Sequence, residues 1–564
     1  MSIKGKVLSI KVLLGLIVIL AALLRIPGIA DYPSGLNADE AAIGYNAYSL
    51  LQTGKDEYGN PWPLSFVSFG DYKPGLYFYM VMPFIASLGI NEFALRLPSA
   101  LFGIGTVLLV YFLAKELFNQ KGPALASSLI LAITPWHIHF SRGSWETNAA
   151  TFFICLGVYL FIKKLGDPWY LFFSFLSFLI AMYTYQSPRL VVPVLVLGML
   201  LLYFKNLFHQ VKNNQKIIKS YVIILTVLSV LAVPLAFQFL GGSGSARFAG
   251  LSFLSDKGPE NRLNELRGQH ADLGSTQAKI FHNKLTAFAP QFFGHYVDHF
   301  KGDFLFINGD PIIRNKTPET GQFYLIMALF LVIGLFVLIK SESKTKWLVL
   351  LWLFVSPLAS SMTYQTPNAV RALLMVIPLV LMMGLGMSAI IDKLWNLKYL
   401  KGLGYLMAIF IFVWIGFEMT HYLESYYIHS PKRYPLAWEY GFKEMVGKMG
   451  NQEQKFSKVV VTDRYDQPYI LVLFYKAMLA QQNGVPFNSS DYQGKLKLSE
   501  RDKFNFGTVR DFDKFQFKAV TPEEILQSKD TLFIVTPKEV PPGRDIIDSV
   551  KYPNGEDAFV FIKT

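Results

Sequence analysis

The amino-acid sequence predicts an all-α polytopic membrane protein with about eleven transmembrane helices and a small C-terminal α/β domain. Its composition, 52% hydrophobic and 16% charged over 564 residues, lies outside the usual range of soluble globular domains. Apolar runs long enough to cross roughly 30 Å of hydrocarbon recur up to residue 423. These runs do not alternate in polarity as barrel strands do, so they predict helices. The predicted division is a transmembrane domain, residues 1–423, and an extracytoplasmic domain, residues 424–564.

Eleven apolar segments are predicted to span the membrane. The first, residues 12–29, follows Lys4, Lys6 and Lys11, but it is too long for a secretion signal and lacks a small-residue cleavage site. We therefore predict a retained helix there. Residues 75–90 are apolar but of marginal spanning length, and we predict an interfacial or re-entrant helix. The predicted spans are 12–29, 94–117, 122–140, 146–162, 168–187, 189–206, 218–240, 322–339, 346–362, 369–391 and 402–423.

The distribution of basic residues sets the predicted orientation. With eleven crossings, lysine-bearing loops such as 205–219 and 340–346 fall on the cytoplasmic side, as the positive-inside rule requires. Counting 75–90 as a crossing would invert this pattern. The sequence thus predicts a multi-pass protein of the inner (cell) membrane whose loops 30–93 and 241–321 and C-terminal tail face outward.

The tail has the local signals of a small α/β fold. Strand-like runs occur at 458–462, 531–535 and 558–562, and helical stretches occur near 438–449 and 467–479. Because this segment is also rich in charge, we predict that it is a soluble domain outside the membrane.

Charge and cysteine content exclude some classes of partner and site. The formal charge of +13 comes largely from Lys and Arg in short loops between apolar segments, so topology explains it better than a nucleic-acid partner does. Cys155 is the single cysteine. The chain therefore cannot form an intrachain disulfide or a cysteine-based metal cluster.

The first outward loop carries adjacent acids, Asp39 and Glu40, shortly after the first predicted helix. In isolation such a pair favours a solvated helix start, since Asn37 can cap the helix and acids suit its positive end. The surrounding motifs favour a functional role. Lys73-Pro74 follows in the same loop before an aromatic stretch, and Arg96-Leu97-Pro98-Ser99 opens the next span.

This order of motifs resembles the GT-C superfamily of integral membrane glycosyltransferases. Within it, the chain is similar to family 39, which includes the protein O-mannosyltransferases and the aminoarabinose transferases of lipid A. The resemblance extends over nearly the whole chain, although only the first loop carries diagnostic motifs. Other similar stretches are 141–148, 183–189, 304–311, 363–371 and 467–470.

The resemblance implies transfer of a hexosyl or pentosyl group from a polyprenyl-phosphate donor to an acceptor hydroxyl, with inversion. A phosphate leaving group needs cations, and Lys73, Arg189 and Arg371 are the candidates. From the sequence alone, Lys73 also fits a snorkelling interfacial anchor. Asp39 is the candidate general base. Glu40 either orients the acceptor or a cation, or strengthens the helix start.

A second-loop site and a metal site are further candidates. Arg142 and Glu146 form either a salt-bridged turn or a site with a second acid. His295 and His299 lie one helical turn apart, a spacing that is more often structural than metal-binding. Some aminoarabinose-transferase-like proteins carry an acid where this chain has Tyr72. This difference weakens the inference that the chain binds a metal ion. We therefore expect no required cofactor, with a divalent metal as the alternative.

The predicted partners are the donor lipid, the membrane and an acceptor that is a protein, a lipid or a polysaccharide. One alternative function is a transporter. Two observations oppose it, since few ionisable residues lie at the centres of the predicted spans and the sequence has no pair of matched broken helices. Another is a lipid-linked-glycan ligase or an oligosaccharyltransferase-like enzyme. That reading would require spaced metal-binding acids in the first loop, and the sequence offers no convincing set.

Overall fold

The computed structural model describes residues 9–564 except 70, 213–214, 241–251, 271, 273–274, 396–400, 451 and 501–506. The short Gly/Ser run at 241–245 lies outside the described residues. The described chain is mostly helical and falls into two compact units, each built from separate stretches of sequence. One comprises Met1–Ala21, Ile104–Ile138 and Ala150–Met419, and the other comprises Ala22–Gly103, His139–Ala149 and Thr420–Thr564. The domain boundary predicted at residue 423 stays a prediction.

The α-helices of the described residues occupy the predicted apolar segments and parts of the predicted outward loops. Their bounds are Ile10–Arg25, Ala38–Thr53, Leu76–Leu88, Glu92–Phe118, Lys121–Ile133, Pro135–Arg142, Glu146–Lys163, Pro168–Thr184, Pro188–Lys212, Gln215–Leu240, Lys257–Gly268, Thr276–Phe281, Lys284–Asp298, Ile326–Lys340, Thr345–Val355, Leu358–Ser361, Val376–Trp395, Lys401–Glu424, Ser430–Arg433, Phe442–Gly450, Pro468–Gln482 and Pro522–Gln527.

Helices lie in all eleven predicted spans, but fewer qualify as spans by length and composition. Among the described residues, five helices are long and apolar enough to cross a membrane, or six if one bent pair counts as a single span. The count of eleven is therefore not confirmed. The five are Glu92–Phe118, Pro188–His209, Ile218–Gln238, Leu373–Trp395 and Gly402–Arg433, and the pair bent by 119° is Pro135–Arg142 with Glu146–Lys163.

The predicted span 122–140 consists of two helices and not of one. The chain breaks at Thr134, which is extended (ψ 123°), and a separate helix begins at Pro135. A proline lacks the N–H that a helix interior needs and pushes the preceding residue toward extended backbone. Because the sequence stays apolar across this break, hydrophobicity alone did not reveal it.

The first unit is held together by close packing of apolar helices. Helix Val376–Trp395 packs against Ile326–Lys340, where Gly334 and Gly386 let the two backbones meet. A Cβ on Gly334 would lie 1.7 Å from the Met382 carbonyl oxygen. Small residues at such crossings permit the dense contact that membrane helices use for association.

In the second unit, the first predicted outward loop folds as a helix, a β-hairpin and a second helix. Strands β1 (Ser65–Ser68) and β2 (Asp71–Pro74) pair antiparallel between helices Ala38–Thr53 and Leu76–Leu88. The expectation that residues 30–93 form short helices is therefore incomplete. Helix Leu76–Leu88 has 13 residues, about 20 Å at 1.5 Å each, which is too short to cross roughly 30 Å of hydrocarbon unaided.

The tail contains the predicted α/β fold. Its strands are β3 Lys458–Val461, β4 Lys497–Leu498, β5 Val509–Phe512, β6 Phe515–Phe517, β7 Thr531–Val535, β8 Asp548–Lys551 and β9 Asp557–Lys563. They form a seven-stranded sheet in the order β4-β5-β6-β3-β7-β9-β8, with β3 parallel to both β6 and β7. The three predicted strands and both predicted helices are confirmed.

One tail helix is also part of the core around the first loop. Helix Pro468–Gln482 is buried along most of its length and packs against helix Ala38–Thr53. At Gly44 a Cβ would meet the Phe474 ring at 2.5 Å, so the contact requires glycine. This packing fixes the helix that carries the acidic pair.

Candidate active site

The acidic pair lies at the N-terminus of helix Ala38–Thr53, and Asn37 caps that helix as predicted. The Asn37 side-chain oxygen accepts a hydrogen bond from the Glu40 N–H at 3.0 Å, and Glu40 Oε2 accepts one from the Asn37 N–H at 3.3 Å. This capping box satisfies two backbone N–H groups. Asp39 and Glu40 are adjacent on a helix, so their side chains point in different directions.

Glu40 points into the protein and is bound by Arg96. Arg96 donates from Nε to Glu40 Oε1 at 2.9 Å and from Nη2 to Oε2 at 3.0 Å, with Glu40 1% and Arg96 0% exposed. The Ser144 N–H also donates to Glu40 Oε1 at 2.8 Å. Arg96 further donates to the carbonyl oxygens of Ile29 and Pro33, each at 3.0 Å. These contacts fit the structural alternative for Glu40, in which it anchors the helix start.

Lys73 reaches Asp39 from the β-hairpin. The strand pairing sets Lys73 opposite Phe66, and the Lys73 ammonium forms an ion pair with Asp39 Oδ1 while lying 5.4 Å from the centre of the Phe69 ring. The Lys73 side chain is only 9% exposed, whereas that of Asp39 is 36% exposed. Asp39 is therefore the member of the pair that solvent can reach.

This ion pair combines two kinds of chemistry at one place. A largely buried ammonium is a site for a phosphate oxygen, because its charge is weakly screened there. A half-exposed carboxylate beside it can accept a proton from a hydroxyl that arrives from solvent. The two side chains come from positions 34 residues apart, and the hairpin is what brings them together.

Arg142 is engaged in holding the chain after the first helix. It donates to the carbonyl oxygens of Leu24, Pro27 and Tyr32 at 3.2, 2.9 and 3.2 Å, and from Nε to the Tyr426 hydroxyl at 3.2 Å. Glu146 begins helix Glu146–Lys163 and is buried. These contacts give Arg142 a structural explanation beside its candidacy for a second-loop site.

Arg189 and Arg371 belong to the other compact unit. Arg189 donates to the Met182 carbonyl oxygen at 3.1 Å and to Gln238 Oε1 at 2.9 Å. Arg371 donates to Thr363 Oγ1 at 2.9 Å. Their assignment to donor phosphate stays a prediction.

The histidine spacing noted in the sequence has a structural explanation in His299. Its Nδ1 lies 2.9 Å from the His295 carbonyl oxygen and its Nε2 lies 2.7 Å from Ser360 Oγ. Burial lowers the pKa of His299 to about 4, so the ring is neutral at physiological pH. In the described part of the chain, no group of three or more His, Cys, Asp or Glu side chains is placed to hold a metal ion.

Sequence reasoning missed two residues of this region. Arg96 appeared in a motif, but its partner Glu40 lies 56 residues away and no local signal joins them. Glu57 attracted no attention, although it is a carboxylate with 1% exposure. Its side chain interacts with Tyr469, more than 400 residues later in the sequence, so no local signal marked it as buried.

Comparison with known sequences shows a match to one protein family. The profile of the Dolichyl-phosphate-mannose-protein mannosyltransferase family matches residues 72–236, less than a third of the chain. This range contains Lys73 and Arg96 but ends before Arg371 and begins after Asp39. One relative, the dolichyl-diphosphooligosaccharide–protein glycosyltransferase subunit STT3B of Arabidopsis thaliana, is 29% identical over 168 residues, 27% of this chain and 23% of that protein.

Two solved structures match almost the whole chain. ArnT from Cupriavidus metallidurans bound to undecaprenyl phosphate superposes with a TM-score of 0.54 and 8% identity, covering 97% of each chain. The oligosaccharyltransferase AglB from Archaeoglobus fulgidus, in complex with an inhibitory peptide and a dolichol-phosphate, has a TM-score of 0.52 and 14% identity, covering 93% of this chain and 69% of AglB. These matches support the resemblance to the GT-C glycosyltransferases. The resemblance predicted from its motifs is confirmed.

These structural likenesses show the fold of the chain, and the chemistry of its site has to be argued from its own residues. Identities of 8% and 14% carry no residue roles across. The chain spans 18%, 23% and 19% of the length of three curated relatives, so their activities describe only those proteins.

Proposed function

We propose that this chain is a GT-C-type glycosyltransferase that moves a sugar from a polyprenyl-phosphate-linked donor to an acceptor hydroxyl. The observation that carries the proposal is the Lys73–Asp39 ion pair, which sets a buried cation beside an exposed carboxylate. The fold it shares with a protein solved with undecaprenyl phosphate supports the choice of donor class. The sugar, hexose or pentose, and the acceptor, protein, lipid or polysaccharide, are not specified by these residues.

The proposed reaction is a single displacement. The acceptor oxygen attacks the anomeric carbon as its proton passes to an Asp39 carboxylate oxygen. The bond from the anomeric carbon to the phosphate oxygen breaks, and polyprenyl phosphate leaves with the bonding electrons. Lys73 neutralises the charge that develops on that phosphate. One displacement opposite the leaving group inverts the anomeric centre.

Donor binding would also release the base in this scheme. Lys73 contacts Asp39 when no phosphate competes for it. The donor phosphodiester brings a second anion to the ammonium and gains further negative charge as its bond to the sugar breaks, so Lys73 turns toward the phosphate and Asp39 becomes available to the acceptor. Glu40 and Arg96 act as positioning residues, because they fix the helix turn from which Asp39 projects.

Arg189 and Arg371 are proposed as further cations for the donor phosphate because of the motif resemblance. The proposal routes no step through a cofactor, and a divalent metal is the alternative. The membrane location is proposed as the inner membrane with the site outside, supported by the basic loops between the apolar helices.

The test is turnover of a radiolabelled polyprenyl-phosphate sugar by purified protein in a lipid nanodisc. We expect transfer of the label to an added acceptor mixture and, by NMR of the product, an anomeric configuration opposite to that of the donor. Label transport across a liposome membrane without covalent transfer would favour the transporter alternative. Transfer of a preassembled oligosaccharide from a pyrophosphate lipid, with no turnover of the monophosphate donor, would favour an oligosaccharyltransferase-like enzyme.

A further inference from the structure

One helix of the second predicted outward loop has an uncharged outer face. On helix Lys284–Asp298, the large side chains of Leu285, Phe293 and Val297 are 76%, 62% and 53% exposed. At 3.6 residues per turn these three positions fall within about a third of the helix circumference, so they form one stripe. From Leu285 to Val297 the sequence contains no Asp, Glu, Lys or Arg. Water is therefore an unfavourable neighbour for this stripe.

The opposite face of the same helix is apolar as well. Phe288 is buried, and its ring lies 5.9 Å from the ring of Phe253 between centres. The helix also packs against helix Lys257–Gly268 of the same loop. A helix that is hydrophobic on all sides is normally enclosed by apolar surroundings. With one face packed in the protein, the outer stripe requires an apolar partner of its own.

The outer stripe lies beside a predicted span. The Tyr296 hydroxyl donates to the Phe354 carbonyl oxygen at 2.7 Å, and the rings of Phe300 and Phe354 are 5.9 Å apart between centres. Phe354 is half exposed and lies on the apolar helix Thr345–Val355, within the predicted span 346–362. Since a multi-pass membrane protein presents such side chains to lipid, lipid is the apolar partner nearest to the stripe.

Charged residues border the outer stripe and are already paired. Lys284 forms an ion pair with Glu260 at 2.8 Å, and Lys301 forms one with Asp298 at 2.6 Å. Glu260 belongs to helix Lys257–Gly268, which is strongly polar and exposes most of its length. The two packed helices thus combine a polar side with an apolar side, as structures that lie at a membrane interface do.

We infer that helix Lys284–Asp298 lies in the plane of the membrane surface, with its outer stripe at the boundary between lipid headgroups and acyl chains. Its 15 residues extend about 22 Å at 1.5 Å each, which is too short to cross roughly 30 Å of hydrocarbon. The partner of the stripe is therefore the bilayer, bound through apolar contact. Because the bordering lysines are paired with acids, this contact does not require anionic lipid.

The depth of this helix in the bilayer also sets the depth of a neighbouring turn. Thr366 Oγ1 donates to the His295 carbonyl oxygen at 3.3 Å, and the Asn368 N–H donates to His299 Nε2 at 3.3 Å. The same turn carries Arg371, which is proposed as a cation for the donor phosphate. The value of this arrangement for donor binding rests on the proposed function, whereas the membrane position of the helix does not.

The test measures depth with a spin label and needs neither donor nor acceptor. Full-length protein carrying Leu285→Cys, Phe293→Cys or Val297→Cys is labelled with a nitroxide and placed in nanodiscs of zwitterionic lipid. Cys155 is buried, so the label reacts with the introduced cysteine. Electron paramagnetic resonance then compares collisions with oxygen, which concentrates in lipid, and with a water-soluble nickel complex. Oxygen collisions should dominate at all three positions and report a depth of about 5–10 Å.

Two exposed positions calibrate the measurement. A label at Glu265→Cys, on helix Lys257–Gly268, should collide mainly with nickel. A label at Val230→Cys, on the apolar helix Ile218–Gln238, should collide mainly with oxygen. Replacing part of the zwitterionic lipid by anionic lipid should leave the depth of the stripe unchanged.

A charge on the stripe should weaken its contact with the bilayer. Phe293→Asp should increase nickel collisions of a label at Val297→Cys, whereas Phe293→Leu should not. The proposal is overturned if nickel collisions dominate at all three stripe positions, because the stripe would then face water. It is equally overturned if both reagents collide rarely, since protein, either another segment or a second copy of the chain, would then cover the stripe. A depth that depends on anionic lipid would overturn the apolar mode of contact.

Discussion

Replacing Arg96 by methionine should destabilise the protein severely, because it leaves the Glu40 carboxylate buried without its cation. Arg96 supplies both hydrogen bonds of a bidentate contact, at 2.9 and 3.0 Å, to a carboxylate that is 1% exposed. Removing one partner of a buried ion pair costs about 3–5 kcal/mol. The carbonyl oxygens of Ile29 and Pro33 lose a donor as well, so we expect the upper part of that range.

A double-mutant cycle isolates the pair from these other losses. Glu40→Gln alone removes the charge but keeps the side-chain volume, and it leaves Arg96 buried without an anion. In the double variant Glu40→Gln/Arg96→Met neither charge remains, so its destabilisation should be smaller than the sum of the single values by about 1–3 kcal/mol. Wild type and the three variants are compared by reversible unfolding in mixed micelles of rising SDS content, followed by far-UV circular dichroism.

Two results would refute this reasoning. If Arg96→Met lay within about 1 kcal/mol of wild type, the carboxylate would not depend on this cation. If the single effects simply added, the two side chains would not act as a pair. Leu101→Met, at an exposed position on the same helix, is the matched control and should unfold like wild type.

Two other positions give distinct predictions. Gly35 has φ +124° and a Cβ there would lie 2.1 Å from the Trp438 carbonyl oxygen, so Gly35→Ala should cost about 2 kcal/mol or more. Gly59→Ala, with φ +88° but nothing within 4 Å, should cost less, and equal losses in the same unfolding assay would contradict the clash. The pKa of His299 is about 4 when folded and about 6.5 when unfolded, so its neutral form contributes stability above pH 6.5 that is lost as pH falls toward 4. This loss of stability is about 3 kcal/mol at most. His299→Asn should therefore flatten the dependence of the unfolding free energy on pH between pH 6.5 and 4. An unchanged slope would contradict the assignment of this pH dependence to His299.

Features encoded by neighbouring residues could be predicted from the sequence. The Asn37 cap required only that a capping residue precede a helix whose first turn carries acids, and the structure confirms it. The tail strands were equally local, since runs of Val, Ile and Phe such as Thr531–Val535 favour a buried strand. In both cases the signal and the structure lie within a few residues of each other.

Features that depend on tertiary partners could not be predicted in the same way. The hairpin that presents Lys73 has strands of only four residues, too short for an alternating pattern to stand out. From the sequence, Asp39 and Glu40 suit a helix start equally well. Only the contact between Glu40 and Arg96 in the structure shows that Glu40 points away from Asp39. Composition and motifs therefore predicted a helical membrane protein with a C-terminal sheet, whereas the different surroundings of the two acids became visible only in the structure.

The central claim is that Asp39 is the base and Lys73 the phosphate-binding cation, and the most direct test measures donor binding and turnover in the same two variants. Asp39→Asn should reduce turnover on the order of a hundredfold or more while donor-lipid affinity stays close to wild type. Lys73→Ala should weaken both, since the cation contacts phosphate in the bound donor and in the departing lipid. Asp31→Asn and Lys55→Ala, at exposed positions in the same loop, are the matched controls. Full turnover by Asp39→Asn with a confirmed donor and acceptor would contradict the account and leave the acidic pair as a structural helix start.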